Sequence, residues 1–179
     1  VKNDRLDFSR KRGYISEDDH AIFSKKYKPK YGDVYMVKSG ATTGAVARVE
    51  THEEFNIWSP LAVLRPHAEK SITDYLFYVL KSKPFFYSVE LSWSYGTQQN
   101  IGMGVISNIR MALPPIEEQK AICRYLEPLL QKIEDQRAKI DSVVERLQEY
   151  RSALITNAVT GKIDVRGFAI PQPAEGIAL

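Results

Sequence analysis

The sequence predicts an α+β fold, in which a small globular domain with a β-sheet and short helices is followed by a long coiled-coil helix. Two observations favour this class. Short runs of β-branched and aromatic residues, bounded by glycine and proline, recur in the first two thirds of the chain and are typical of strands. Apolar residues then recur at a strict seven-residue spacing in the last third, which is the pattern of a coiled-coil helix.

Three strands are predicted in the first half of the chain. Residues 33–39 and 45–49 are rich in β-branched and aromatic residues, and the segment 40–44 between them has glycine at both ends. Glycine tolerates the backbone angles of a tight turn, so these segments predict a hairpin. Residues 61–65 form the third strand, which ends before Pro66.

Two short helices, a polar loop and a last strand complete the predicted globular domain. The apolar residues of 71–81 fall on one helical face, and a second short helix begins at Pro84. Residues 93–100 form a polar loop, and residues 109–113 form a strand that closes the domain. The first thirty residues show no sustained period and are predicted to be irregular.

The helical segment carries the seven-residue repeat. Its a positions are Leu126, Ile133, Ile140, Leu147 and Leu154. Its d positions are Ile122, Leu129, Gln136, Val143 and Tyr150. Pro128 lacks a backbone donor and crowds the preceding turn, so we expect a kink or short break there. The main helix then runs from about Leu129 to Val159, roughly 47 Å, and Gly161 supplies a left-handed cap.

A seam of this length needs a second helix to cover it. Nothing else in the chain supplies one, so we expect the partner to come from another chain. The residues predicted to form the interface are Leu129, Ile133, Gln136, Ile140, Val143, Leu147, Tyr150 and Leu154. Gln136 is the strongly polar member; it either fixes the register of the pair or is a tolerated defect, and both readings remain open.

Composition limits the classes of function that the chain can have. The 179 residues include 44% hydrophobic and 26% charged residues, as in an ordinary globular protein. The formal charge is +3, with the cations concentrated in residues 1–48 and the charges nearly balanced in residues 117–151. This distribution fits a protein that binds a polyanion and also contacts protein. A solvated lysine-rich surface would explain the charge equally well.

The chain shows no set of residues for catalysis. The glycine turn 40–44 lacks the Gly-Lys-Ser/Thr of a phosphate loop, and the three histidines are scattered. Cys123 is the one cysteine, which excludes a disulfide framework within the chain and suits a reducing cytosol. No apolar run approaches the roughly 20 residues that span a bilayer. We therefore expect a soluble cytoplasmic protein with no cofactor, no metal and no enzymatic activity.

Two loops and a group of lysines suit DNA. Around the glycine turn, the candidate contacts are Lys38, Ser39, Thr42 and Thr43, which suit a phosphate or a base edge. In the polar loop they are Trp93, Tyr95, Thr97, Gln98, Gln99 and Asn100, whose amides can pair with adenine in the major groove. The lysines expected on phosphates are Lys25, Lys26, Lys28 and Lys30. Such compositions also occur in ordinary surface loops.

Four segments, in order, resemble the specificity-subunit family of type I restriction–modification systems. Residues 32–44, GDVYMVKSGATTG, resemble the glycine hairpin of the family's recognition domains, and residues 96–101, GTQQNI, resemble the loop that follows. Residues 113–122, LPPIEEQKAI, resemble the start of its helical spacer, and residues 149–166 resemble the end. The resemblance covers nearly the whole chain, and the last two motifs are highly specific together.

The resemblance implies three regions and a set of partners. Residues 1–113 would be a target-recognition domain without some of the family's opening strands, residues 114–165 a helical dimerisation and spacer region, and residues 166–179 a flexible tail. In this family two recognition domains, joined by antiparallel helices, each read half of a split double-stranded DNA site for methyltransferase and restriction subunits. The chain resembles the C-terminal half of such a subunit, with a second copy or the other half as its partner.

The alternative functions are a structural coiled-coil adaptor and a DNA methyltransferase fragment. A structural coiled-coil adaptor would have the same helix, and its globular part would contact protein instead of DNA. A DNA methyltransferase fragment would need a cofactor glycine loop and an Asn/Asp-Pro-Pro-aromatic motif, and the sequence contains neither.

Overall fold

The computed structural model describes residues 4–10, 13–58, 60–91 and 100–167 of the chain. It confirms the α+β class, with a small antiparallel sheet, short helices and a long C-terminal helix. After a 3-10 turn at Phe8–Arg10, the elements are α1 (Glu17–Lys26), β1 (Val34–Val37), β2 (Val46–Arg48), β3 (Leu61–Leu64), α2 (Thr73–Lys81), α3 (Lys83–Leu91), α4 (Met103–Asn108) and α5 (Ile116–Val159). The chain divides into two compact units, Val1–Leu126 and Glu127–Leu179.

The strand β1 is the centre of the sheet. The order is β2-β1-β3, and both pairs are antiparallel. Tyr35 pairs with Ala47 on one side and with Val63 on the other. The hairpin that the sequence predicted around the glycine turn is therefore confirmed.

Both faces of β1 are covered, which explains why all four of its residues are buried. Successive strand residues point to opposite faces. Val34 and Met36 belong to the main hydrophobic core, while the Tyr35 ring lies 6.4 Å from the ring centroids of both Tyr27 and Phe55. The other buried residues of the main core are Val46, Ala62, Leu76, Phe77, Leu80, Phe85, Val89, Ile101 and Ile106.

Helix α1 corrects the expectation that the first thirty residues are irregular. Ser16 caps the helix, since its hydroxyl oxygen accepts the N–H of Asp19 at 3.1 Å. Acidic residues occupy its first turn and lysines its last, an arrangement that the helix dipole favours. None of its residues is buried, so α1 lacks the apolar face on which the period-based prediction depended.

Residues 109–113 do not form the predicted strand. Helix α4, which the sequence did not predict, ends just before this segment at Asn108, and residues 109–115 are irregular. Ile109 packs against the main core, and the hydroxyl of Tyr75 donates to the carbonyl oxygen of Ala112 at 3.0 Å. A side chain of α2 therefore satisfies a backbone acceptor in this unpaired segment.

Helix α5 runs through Pro128 without interruption. The expected break, and a main helix starting only at Leu129, are therefore wrong. A proline inside a helix costs about 3 kcal/mol, and the hydrogen bonds on either side of it in a helix of 44 residues outweigh that single loss. The predicted cap is confirmed: Gly161 has a φ of +73°, and the N–H of Lys162 donates to the carbonyl of Asn157 at 2.8 Å.

Gln119 attaches the first turn of α5 to the start of α2. Its side chain is fully buried. Its Oε1 accepts the N–H of Ile72 at 3.1 Å, and its Nε2 donates to the carbonyl oxygens of Lys70 and Pro114, each at 2.8 Å. One amide thus satisfies three backbone groups from two segments that are far apart in sequence. This gives a structural role to the motif that begins at Leu113.

Candidate nucleic-acid interface

The glycine turn between β1 and β2 is a tightly bonded loop. Gly40 and Gly44 have φ values of +103° and +89°, a region that side chains with a Cβ rarely adopt. The N–H of Gly44 donates to the carbonyl of Val37 at 2.8 Å, and the N–H of Ala45 donates to that of Thr42 at 3.0 Å. A Cβ at Gly44 would lie 3.0 Å from the ring of Phe86. The left-handed glycines at its two ends and these hydrogen bonds therefore fix the conformation of the 40–44 loop.

The side chains of this loop have different roles. Thr43 is only 7% exposed, and its hydroxyl donates to the carbonyl of Gly40 at 2.6 Å. Thr43 therefore stabilises the loop, and its hydroxyl proton is already used there. Thr42 is exposed, and Lys38 and Ser39 are partly exposed. These three side chains form the accessible part of the loop.

The structure brings the glycine loop next to the end of the polar loop. Ser39 and Asn100 form an isolated antiparallel bridge, and the N–H of Ile101 donates to the carbonyl of Lys38 at 2.8 Å. Ile101 is fully buried in the main core, which fixes this junction. The other predicted contacts of the polar loop lie outside the described residues: Trp93, Tyr95, Thr97, Gln98 and Gln99.

The four predicted phosphate-contacting lysines are all exposed. Lys25 and Lys26 end α1, and Lys28 and Lys30 follow it. Lys28 forms an ion pair with Glu54, and a ring nitrogen of His20 lies 3.3 Å from the same carboxylate. The hydrogen bond from Lys28 lowers the pKa of Glu54. The charge of Lys28 is thus partly balanced at the surface. Lys30 is held through its backbone, because its N–H donates to the carboxylate of Asp33.

Lys28 and Lys30 lie at the opposite end of β1 from the glycine loop. The two lysines precede the strand, while Lys38 follows it. Four strand residues span roughly 13 Å, so the two groups do not form one compact cluster.

An ion pair between the buried carboxylate of Asp33 and the partly exposed Arg65 holds the lysine end of β1, and the sequence did not predict it. Asp33 is 1% exposed, and its two carboxylate oxygens accept from Nε and Nη2 of Arg65 at 2.6 and 2.8 Å. Arg65 also donates to the carbonyl of Lys28 at 3.3 Å, and the hydroxyl of Tyr27 donates to Asp33. These contacts fix the backbone that carries Lys28 and Lys30.

The electrostatics of this group follow from its contacts. Burial alone would raise the pKa of Asp33, but the hydrogen bonds from Arg65, Tyr27 and the N–H of Lys30 outweigh it, and the pKa is lowered. The bond to Asp33 raises the pKa of Arg65. Burial raises the pKa of Tyr35 to about 12, so its hydroxyl stays protonated. The register of β1 and β3, which pairs Val34 with Leu64, places Asp33 opposite Arg65. This register is a property of the folded sheet, so the sequence alone did not reveal the ion pair.

The predicted interface residues of the second unit are all uncovered. Every residue from Glu127 to Thr156 is exposed. Seam side chains include Ile140 at 63%, Leu147 at 61% and Tyr150 at 66% exposure. A single soluble chain seldom leaves so long an apolar stripe in water.

Comparison with known proteins decides the family. Residues 7–146 match the family model of the type I restriction modification DNA specificity domain. The chain belongs to this family. The specificity subunits of the Escherichia coli type I restriction enzymes EcoBI and EcoDI are each 27% identical to it, over 46% and 62% of this chain and 19% and 24% of their own lengths. The EcoKI specificity subunit of strain K12 is 26% identical over 78% of this chain and 30% of its own length.

Solved structures of this family share the fold. The HsdS subunit from Thermoanaerobacter tengcongensis has a TM-score of 0.53 at 21% identity. A chain from a structure of type I R-M complex assembly and conformational transition has a TM-score of 0.59 at 20% identity. Each match covers 81% of this chain and 37% of the other.

The family assignment confirms the resemblance seen in the sequence. The matched relatives are specificity subunits, which confirms a recognition component in place of a catalytic one. The chain spans less than a third of the length of these curated relatives. No helix in the described part of the chain is long and apolar enough to span a membrane.

Proposed function

We propose that this specificity domain reads one half of a bipartite double-stranded DNA site in the cytoplasm. The chain would thereby direct the methyltransferase and restriction subunits of a type I system, and it needs no cofactor for that role. The observation that carries the proposal is the bridge between Ser39 and Asn100. It joins the glycine turn to the end of the polar loop, the two segments whose composition suits DNA, in the unit Val1–Leu126.

The chemistry of the exposed residues supports this reading. Lys38 offers a cation, Ser39 and Thr42 offer hydroxyls, and Asn100 offers an amide within one surface. Lys25, Lys26, Lys28 and Lys30 supply contacts to backbone phosphates, which position a duplex without reading its sequence. From the sequence, the aromatic and amide residues of 93–99 would complete the surface.

The exposed seam of α5 supplies the second half of the proposal. It would pair antiparallel with a second copy of the chain or with the other half of a specificity subunit. Antiparallel helices place the two recognition domains at opposite ends of the pair, so that each reads one half of a divided site. The length of the helix would then set the spacing of the halves.

The experiment that tests DNA reading is binding-site selection from random duplex DNA with the full chain, followed by titration of the selected site at two salt concentrations. Substituting Lys25, Lys26, Lys28 and Lys30 by alanine should weaken binding to every sequence. It should also flatten the slope of log K against log salt by up to about 3–4, since each phosphate contact contributes about 0.9. Substituting Gln98 and Gln99 by alanine should instead relax the base preference.

The control is K70A/K120A, which removes two exposed lysines of the same unit that lie outside the proposed DNA surface. This variant should keep both the affinity and the salt slope. Unchanged base preference after both amide substitutions would remove the polar loop from the proposed surface. No duplex binding at low salt, with the helix still pairing, would support the structural adaptor instead.

A further inference from the structure

The charges of α5 are segregated around its apolar seam. Heptad positions e and g border the a and d seam and come closest to a partner helix. Between residues 127 and 154, the charged residues at e and g are all cations: Lys132, Arg137, Lys139, Arg146 and Arg151. The acids of this stretch all lie at b, c or f, farther from the seam: Glu127, Glu134, Asp135, Asp141, Glu145 and Glu149. Both borders of the seam are therefore purely positive.

The chain itself hardly neutralises these cations. Within the described residues, four of them have no carboxylate oxygen within 4.0 Å: Lys132, Lys139, Arg146 and Arg151. The fifth, Arg137, lies 4.0 Å from Glu134, and the two side chains are 62% and 63% exposed. A contact this long between exposed groups contributes little. The positive borders are thus available to a partner.

We propose that α5 pairs with an amphipathic helix of different sequence whose flanking positions are acidic, in preference to a second copy of itself. The inference rests on the helix pairing proposed above. Of the two partners named there, a second copy of the chain and a different helix, it selects the different helix. The occupant is a helix with an apolar seam and with glutamate or aspartate at its e and g positions.

Pairing with a second copy is opposed by the same residues. In an antiparallel pair of identical helices, e faces e and g faces g. The cationic g row would then face the same row of the second copy, formed by Lys132, Lys139 and Arg146. In a parallel pair g faces e, and Lys132 then meets Arg137. Like charges at such positions destabilise a pair about as much as opposite charges stabilise it. Neither orientation of a homodimer removes the repulsion.

Duplex DNA is an alternative partner for these cations, but the apolar seam between them argues against DNA binding by α5. The two cationic rows lie on either side of Ile133, Ile140 and Leu147, which are 56%, 63% and 61% exposed. A phosphate backbone would neutralise the cations and leave these side chains without an apolar partner. An acid-flanked helix covers the seam and neutralises both rows at once.

The test uses the full chain and two synthetic helices of about four heptads with the same leucine seam. One helix carries glutamate at e and g and lysine at b and c; its matched control has the two residue types exchanged, so both have the same net charge. Binding of each helix is measured by fluorescence anisotropy at about 0.05 M and about 0.5 M salt. Self-association of the chain is measured by sedimentation equilibrium under the same conditions.

At low salt the glutamate-flanked helix should bind on the order of tenfold more tightly than its control, and the difference should shrink at high salt. Self-association should show the opposite trend and strengthen as salt rises, because salt screens the repulsion. The variant K132E/K139E/R146E reverses one border and leaves Arg137 and Arg151 on the other, so it should abolish the preference for the glutamate-flanked helix.

Equal binding of the two helices at both salt concentrations, or self-association that is tightest at low salt, would overturn this inference alone and leave helix pairing intact. If neither helix binds and the chain stays monomeric, the proposed pairing fails as well. If K132E/K139E/R146E loses duplex binding while its preference between the helices is unchanged, the cations serve DNA and the inference is wrong.

Discussion

Asp33 illustrates at the scale of a single residue how the surface lysines depend on a buried charge. Its carboxylate is held by Arg65, Tyr27 and the N–H of Lys30. Substituting Asp33 by asparagine keeps the shape but removes the counter-charge of Arg65. We expect a loss of about 2–3 kcal/mol in the free energy of unfolding, below the about 3–5 kcal/mol of a fully buried pair, because the Arg65 side chain is 44% exposed.

Urea denaturation measures this loss, and the variant D74N is its matched control. Asp74 also pairs with an arginine, Arg48, at 2.5 Å, but the Asp74 side chain is 53% exposed. Its substitution should cost less than about 1 kcal/mol. Equal losses in the two variants would show that burial of Asp33 does not set the strength of its ion pair.

The same residue predicts a pH dependence. The pKa of Asp33 in the folded chain is lowered, whereas in the unfolded chain it stays near its ordinary value of about 3.9. A lowered folded pKa stabilises the fold above the unfolded value, and this contribution is lost as pH falls through the folded value. The stability difference between the wild type and D33N should therefore shrink below about pH 4. A difference that stays constant in urea titrations between about pH 3 and pH 7 would contradict this assignment.

Gln119 is the corresponding case at the scale of the elements, because it joins α2 to the start of α5. The variant Q119L keeps most of the volume but leaves the N–H of Ile72 and two carbonyl oxygens without their partner. Buried polar groups left unsatisfied cost about 1–3 kcal/mol each, and local relaxation recovers part of this. We expect Tm to fall by about 5–10 °C in thermal unfolding.

The variant Q148L in the same helix is the control. Gln148 is exposed, so its substitution should change stability by less than about 0.5 kcal/mol. A similar fall in Tm for both variants would mean that a general effect on α5, and not the three hydrogen bonds, determines the result.

The elements also show what a sequence pattern can and cannot predict. The hairpin and α5 were predictable because their signals are local: a glycine turn between two β-rich runs, and a repeat sustained over several heptads. Helix α1 has no buried face, and its signal was the cap at Ser16 with acids at its start and lysines at its end. The predicted strand at 109–113 failed because no neighbouring strand pairs with this segment: Ile109 packs on the core, while Met111 and Leu113 remain exposed.

The candidate site was predictable only in its parts. Composition selected Lys38, Ser39, Thr42 and Asn100, but their meeting depends on a bridge between two segments far apart in the chain. Composition also selected Thr43, whose hydroxyl stabilises the loop from inside. Which polar side chain faces outwards is set by backbone geometry, and residue type does not encode it.

At the scale of the whole molecule, reading DNA and pairing helices are assigned to different units and should be separable. The variant I140D/L147D places two carboxylates in the seam, where a partner helix would bury them among apolar side chains. We expect helix pairing to weaken by more than about 100-fold. Binding of a single half-site should be unchanged, because both residues lie in the unit that begins at Glu127.

The control for this separation is A138D/S152D, which places the same charges at f positions on the face opposite the seam. It matches the change in net charge and in helix propensity, so it should pair like the wild type. Sedimentation and half-site titration then report the two functions independently. A bipartite duplex should lose the avidity of two linked domains in I140D/L147D but keep it in A138D/S152D. If both variants kept that avidity, the two domains would be joined through some contact other than the seam of α5.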